Sequence, residues 1–206
     1  WANSDEETGD IVPPEERLEL AQQELEQAIE INPQDWEARS QMIKVAMDME
    51  MPLEIIDEHF QAAIKSRPRS RQAYSTMFEV LQNRWNNSRE EEAHEDLLIF
   101  AGQCVRTGYF EEGIPDLSMD FIRNTIEIPG DRAIVRTSSR DPELWAIVSD
   151  YYQGIQSITK SPGVDYSAKK RYARNLFAKY GAYGSHFEKV ADTFRQLEKE
   201  GPDPLV

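Results

Sequence analysis

Apolar residues between positions 15 and 31 recur as Leu18, Ala21, Leu25, Ala28 and Ile29, the three- and four-residue spacing that lays one stripe along a helix. Pro33 ends that helix, because its ring removes a backbone donor and clashes with the preceding turn. Residues 1–14 are rich in Asp, Glu, Asn and Ser and close on Pro13-Pro14, which predicts a flexible acidic leader that stops where the helix starts. A later helix is predicted over 70–84, ending at Arg84-Trp85-Asn86-Asn87-Ser88. Ser88-Arg89-Glu90-Glu91 has the form of a capping box. The helix it opens runs to about residue 106, with Leu97, Leu98, Phe100, Ala101, Cys104 and Val105 as its apolar face.

Past Thr107-Gly108 the pattern weakens. Residues 110–127 read as helical but interrupted by Gly113 and Pro115, and 128–141, with Pro129-Gly130-Asp131 and a Thr-Ser-Ser run, as the longest internal loop and the candidate internal boundary. Asp141-Pro142-Glu143 then supplies an N-cap with proline at the first helical position. That helix carries Leu144, Trp145, Ile147, Val148, Tyr151, Tyr152 and Ile155, and Ser161-Pro162-Gly163 breaks it. Ser167 is expected to cap the next helix, whose inner stripe is Tyr172, Ala173, Leu176, Phe177 and Tyr180. After a turn at Gly181–Gly184, the residues Phe187, Val190, Ala191, Phe194 and Leu197 form the last helix before Pro202.

Sliding the sequence along itself shows a repeat. At a shift of 35, Pro33 meets Pro68, Leu25 meets Phe60, Ala28 meets Ala63, Ile29 meets Ile64 and Ala38 meets Ala73. The same shift superposes Gln41-Met42-Ile43-Lys44-Val45-Ala46 on Thr76-Met77-Phe78-Glu79-Val80-Leu81. Neither helix of such a pair buries its stripe alone, so neighbouring pairs stack.

Through Ala28-Ile29-Glu30-Ile31-Asn32-Pro33 and its echo Ala63-Ile64-Lys65-Ser66-Arg67-Pro68, the chain resembles the tetratricopeptide family over about a third of its length. The final helix pair resembles it again in Ala178, Phe194 and Pro202. Ile43 and Phe78 depart from the pattern, standing where the family carries a small residue at the close helix contact. The resemblance implies an all-α fold of stacked antiparallel helix pairs, an irregular α-α superhelix; the patterned segments along the chain number about nine helices, and the length allows one domain or two small ones, of which a single domain over 15–206 is the expectation. It also implies a groove lined by the first helix of each pair, with Ser40, Lys44, Met47, Ser75, Glu79 and Gln82 as the partner-binding residues. Arg84-Trp85, Ser88, Glu91 and Phe100-Ala101 are similar to a bacterial family of helical-repeat domains without an assigned function, with Asn86-Asn87 in place of that family's Gly-Gly.

Charge narrows the partners. The net charge of −15 and pI of about 4.7 produce a field that repels nucleic-acid phosphates and anionic lipid surfaces. Residues 1–66 hold 17 acidic and 4 basic side chains, whereas 151–187 carry Lys160, Lys169, Lys170, Arg171, Arg174 and Lys179 against Asp165 alone. Two solvated faces account for this; attraction between the two ends, within a molecule or between copies, is the sharper alternative and predicts self-association. No apolar run reaches the length needed to cross a bilayer, so no membrane insertion is expected. The chain starts at Trp1 rather than methionine, which points to an upstream segment removed and leaves the compartment open.

Candidate chemistry is sparse. Glu91-Glu92-Ala93-His94 contains one Glu-x-x-His, but a di-iron site needs two such motifs and two more carboxylates. His94-Glu95 lacks the second histidine of a zinc-protease helix. His59 and His186 stand alone, and Cys104 lies on an apolar stripe, as a buried inert thiol does. Asp57-Glu58 and Glu111-Glu112 are adjacent in sequence rather than facing one another across a cleft. Trp36, Trp85, Trp145, Tyr151, Tyr152, Tyr180 and Tyr183 either pack between helices or line a peptide groove. The chain is therefore expected to be a non-enzymatic protein-interaction scaffold without catalytic residues, metal or cofactor. Its partner is a protein or peptide and not nucleic acid. The competing expectation is a structural or spacer module of a longer chain, and an enzyme with an unrecognised site stands third.

Overall fold

The computed structural model describes residues 13–88, 91–123, 138–158 and 165–200. Among these the protein is all-α, with nine helices and no strand: α1 (Pro14–Ile31), α2 (Trp36–Asp48), α3 (Leu53–Ser66), α4 (Arg71–Ser88), α5 (Glu91–Arg106), α6 (Ile114–Ile122), α7 (Pro142–Ser157), α8 (Ser167–Tyr183) and α9 (Phe187–Glu200). The chain divides into two compact units, Trp1–Val80 and Leu81–Val206, so that the division falls within α4. Apart from residues 13–14 and 138–141, the expected leader and the 128–141 loop lie outside the described residues.

In the first unit, α2 packs against both α1 and α3, and short turns reverse the chain between them, making neighbours antiparallel. The turns after α1 and α3 are built alike. Asn32 and Arg67 close their helices with extended backbone and donate to the carbonyls of Ala28 and Ala63 at 2.9 Å each. Asp35 and Ser70 then donate back to Asn32 and Arg67. Each also caps the next helix: the Asp35 carboxylate accepts from the amides of Glu37 and Ala38, and the Ser70 hydroxyl from that of Ala73. Asn32/Arg67, Ala28/Ala63, Asp35/Ser70 and Ala38/Ala73 are all pairs at the 35-residue offset.

Burial follows the same offset on the second element. Met42 and Met77, Ile43 and Phe78, and Ala46 and Leu81 are all buried. By contrast α1 buries no residue completely and leaves Leu20 and Ile31 exposed.

The second unit is pinned by side chains that reach across the sequence. Ser118 of α6 donates to the Ala101 carbonyl of α5 at 2.7 Å, and the Tyr151 hydroxyl of α7 donates to Asp116 at 2.8 Å. Lys169 of α8 meets the other Asp116 oxygen at 2.6 Å and donates to the Phe110 carbonyl. Lys170 donates to the carbonyls of Gln156 and Ile158, the open end of α7. Much of the basic run seen in the sequence is thus engaged inside its own unit; Lys160 lies outside the described residues.

Several boundaries differ from the sequence expectation. The helix α4 continues through Asn86-Asn87 to Ser88 instead of stopping at Arg84. Gly113 and Pro115 start α6 rather than interrupt it: Gly113 adopts φ 73°, open to glycine without strain, and proline suits a first turn whose amides need no helical partner. Ser167 is the first residue of α8, not its cap; Asp165 accepts from both the Ser167 amide and hydroxyl. Residues Gly181–Tyr183 continue α8. Tyr172, Phe187 and Phe194, expected to face inward, are 39%, 60% and 45% exposed, because the stripes of α8 and α9 are wider than the surface that covers them.

Candidate binding surfaces

The face of α2 and α4 within the first unit carries the residues expected to line a groove. Lys44 and Glu79, related by the 35-residue offset, meet at 2.8 Å, and Asp48 lies 3.5 Å from the same ammonium. Their side chains remain 41% and 50% accessible. The Glu79 hydrogen bond holds the Lys44 ammonium in its charged form and raises its pKa. Met47 and Ser75 are half-buried on the same two helices, and the Ser75 hydroxyl donates to the Gln72 carbonyl. Ser40 departs from expectation: it is 1% exposed and its hydroxyl bonds the Trp36 carbonyl at 2.8 Å, so it presents nothing to a partner. Gln82 is half-buried and belongs to the second unit.

The isolated reactive types are held apart. Burial pushes the Cys104 thiol up to about 12, which leaves it protonated at neutral pH. His59 is half-buried on α3 with Nδ1 3.3 Å from the Arg39 guanidinium; burial and then that cation lower its pKa. His94 is half-buried on α5, and the side chain of Glu91 lies outside the described set. Among the described residues no three His, Cys, Asp or Glu side chains gather as a metal site. Nor is any described helix long and apolar enough to cross a membrane. Buried Tyr151 has its pKa raised by desolvation and by Asp116, so it is an uncharged hydrogen-bond donor.

Most aromatic residues pack. Phe60 and Tyr74 meet edge to face at 5.3 Å, and Arg67 lies 4.2 Å above the ring of Trp36. In the second unit a run of rings links three elements: His186 to Trp145 at 4.3 Å, Trp145 to Phe177 at 5.0 Å, and Phe177 to Tyr152 at 4.3 Å with planes 9° apart. The side chain of Trp85 is not among those described.

A cleft of about 610 Å³ opens beside that run. Trp145, Ser149 and Tyr152 line it from α7, at the spacing of one helix face, and Phe177 lines it from α8. Lys189, Asp192 and Thr193 close it from α9. Sequence reasoning singled out Trp145 and Tyr152 but passed over Ser149, Lys189 and Thr193. The available signal was a serine midway along an aromatic helix face. A second cleft of about 420 Å³ on the same unit is lined by Val105, Arg106, Phe110, Asp150, Gly154 and Ser157, and shares Gln153 with the first.

Comparison with known proteins gives no family model, no curated protein and no solved structure that matches this chain.

Proposed function

We propose that this chain is a tetratricopeptide-like helical-repeat scaffold that binds a segment of a partner protein along the α2/α4 face. The observation that carries the proposal is the duplicated turn, in which caps, donors and acceptors recur at one offset of 35 residues. A repeated turn gives successive helix pairs the same local geometry, which sets like helices side by side and makes a ridged face suited to an extended segment. Lys44 and Glu79 bridge those helices while staying accessible, so their unused lone pairs and protons are open to a peptide backbone or side chains. Among the described residues no three His, Cys, Asp or Glu side chains gather as a metal site, and the buried Cys104 thiol is held protonated, which favours binding over chemistry.

The test is a peptide-array screen on the whole chain, followed by titration of any hit. Lys44→Met and Glu79→Gln, singly, are expected to weaken the hit by about tenfold or more while shifting stability by no more than ~1 kcal/mol, as suits an exposed pair. A saturable hit indifferent to both substitutions would move the site elsewhere; no saturable hit would remove the scaffold proposal.

A further inference from the structure

We propose that the outer face of α9 pairs with the same face of a second copy of this chain, the two helices running antiparallel about Ala191. The contact is independent of the α2/α4 face. Phe187, Ala191 and Phe194 follow one another at four and three residues, so they share one face of the helix. The adjoining face is used inside the chain: Val190 and Thr193 are buried, and Val190 packs so closely on α8 that a Cβ added at Gly181 would stand 2.2 Å from it. Phe187 and Phe194 are left 60% and 45% exposed. Two rings with an alanine between them make an apolar strip with a shallow centre, which lets a second helix approach closely.

What commits this face to a second copy is its symmetry. Exposed Glu188 and Arg195 flank the strip on the same side. Glu188 stands three residues before Ala191 and Arg195 four after it. Reversing one helix about Ala191 therefore sets Glu188 of each copy within one residue, about 1.5 Å, of level with Arg195 of the other. The same reversal sets Phe187 against Phe194 of the second copy, so both ion pairs and both ring pairs form together, as an isologous contact requires. A parallel arrangement would instead place Glu188 beside Glu188 and Arg195 beside Arg195. Glu198, next on the strip, falls just ahead of the start of the opposed α9, whose free amides favour a carboxylate. Within one chain Arg195 is ion-paired to Asp192, but that pair is exposed and weak and leaves other guanidinium donors open. Attraction between the acidic first unit and the basic run of α8 explains association less well, because Lys169 and Lys170 are already held by Asp116 and by carbonyls of α7.

The charge of −15 on each copy opposes association at long range, but it is screened beyond about 8 Å at physiological salt. Four half-exposed rings cover roughly a few hundred Å², at the low end of protein contacts, so the expected Kd is on the order of 100 µM. Sedimentation equilibrium of the whole chain over about 10–500 µM should show a monomer–dimer equilibrium that persists in about 0.5 M NaCl. Phe187→Ser combined with Phe194→Ser should weaken it by about tenfold or more, whereas Leu20→Ser, at an exposed apolar position on α1, should leave it unchanged. Glu188→Arg and Arg195→Glu should each weaken it by about fivefold, and the two together should restore it, which only the reversed register allows. Helical circular dichroism identifies any variant that fails to fold, in which case the wild-type concentration and salt dependence decides alone. A wild-type chain that is monomeric at about 500 µM, a dimer that dissociates in high salt, a dimer indifferent to the two phenylalanine substitutions, or a charge swap no better than its single variants would each overturn the proposal.

Discussion

The two units reach the same helical class by different means. In the first, α1 to α3 are set by turns whose bonds span three to five residues. Its longer-range polar contacts are exposed between Lys44 and Glu79 and between Ser66 and Gln34, and half-buried between Arg39 and His59. In the second, Lys169 bonds a carbonyl 59 positions away, Tyr151 and Ser118 fasten α7 and α5 to α6, and four rings run together across α7, α8 and the turn before α9. Local turns give a geometry that is copied along the chain. Long-range pins give one that is specific to its place, and they also leave the clefts.

The largest expected effect comes from removing the centre of the ring run. Phe177→Ala should cost about 3–5 kcal/mol of the second unit's stability in urea unfolding followed by near-ultraviolet circular dichroism. A loss under about 1 kcal/mol would mean that the rings do not hold that unit together. Next is Gly154, where an added Cβ would stand 2.1 Å from the ring of Phe110, itself buried. Alanine ordinarily favours a helix interior over glycine by ~1 kcal/mol; here Gly154→Ala should destabilise by about 1–3 kcal/mol. Gly102→Ala meets only the flexible end of Arg106 at 3.0 Å and should be neutral or stabilising, so opposite signs at the two glycines are the outcome to look for.

Smaller effects test the first unit's copied turn. Asp35→Ala and Ser70→Ala should each cost about 1 kcal/mol, since each removes the cap at an equivalent helix start. A cost at one position only would break the equivalence of the two turns. The smallest effect is pH-dependent. His59 has a folded pKa below its ordinary value, so the unfolded chain binds the proton more readily and stability falls as pH drops below about 6.5. Arg39 opposes that charge, and Glu58 and Glu26 offset it in part. His186, lowered by burial and Lys189, acts in the same direction. His59→Gln should flatten thermal stability between about pH 5.5 and 6.5; an unchanged slope would assign it to other groups.

Much of the backbone plan was legible because it is written locally. Prolines that cannot continue a helix, the Asp141 cap and the three- and four-residue apolar spacing act within a turn or two, so Pro33, Pro68 and Pro142 mark real helix ends and starts. The 35-residue offset aligned Pro33 with Pro68, Ala28 with Ala63, Ala38 with Ala73 and Lys44 with Glu79 without coordinates, but the Asp35 and Ser70 caps that complete the duplicated turn emerged only from the structure. Helix ends governed by packing were less legible. Nothing local distinguishes Asn86-Asn87 inside α4 from the same pair in a turn, and an apolar stripe does not report how much surface will cover Phe187 or Phe194.

By itself, then, the sequence determined that the chain is helical, where Pro33, Pro68 and the Asp141-Pro142 start punctuate it, and that two segments recur at an offset of 35. Tertiary structure decided that Ser40 turns inward while Ser149 keeps an unpaired hydroxyl. It also decided that the basic run of α8 closes α7 and α6, and that α7 and α9 leave a cleft over Phe177. The physical reason is range: steric and capping effects act between neighbours along the chain. Burial, ion pairing and enclosed volume depend on which distant side chains arrive at the same point.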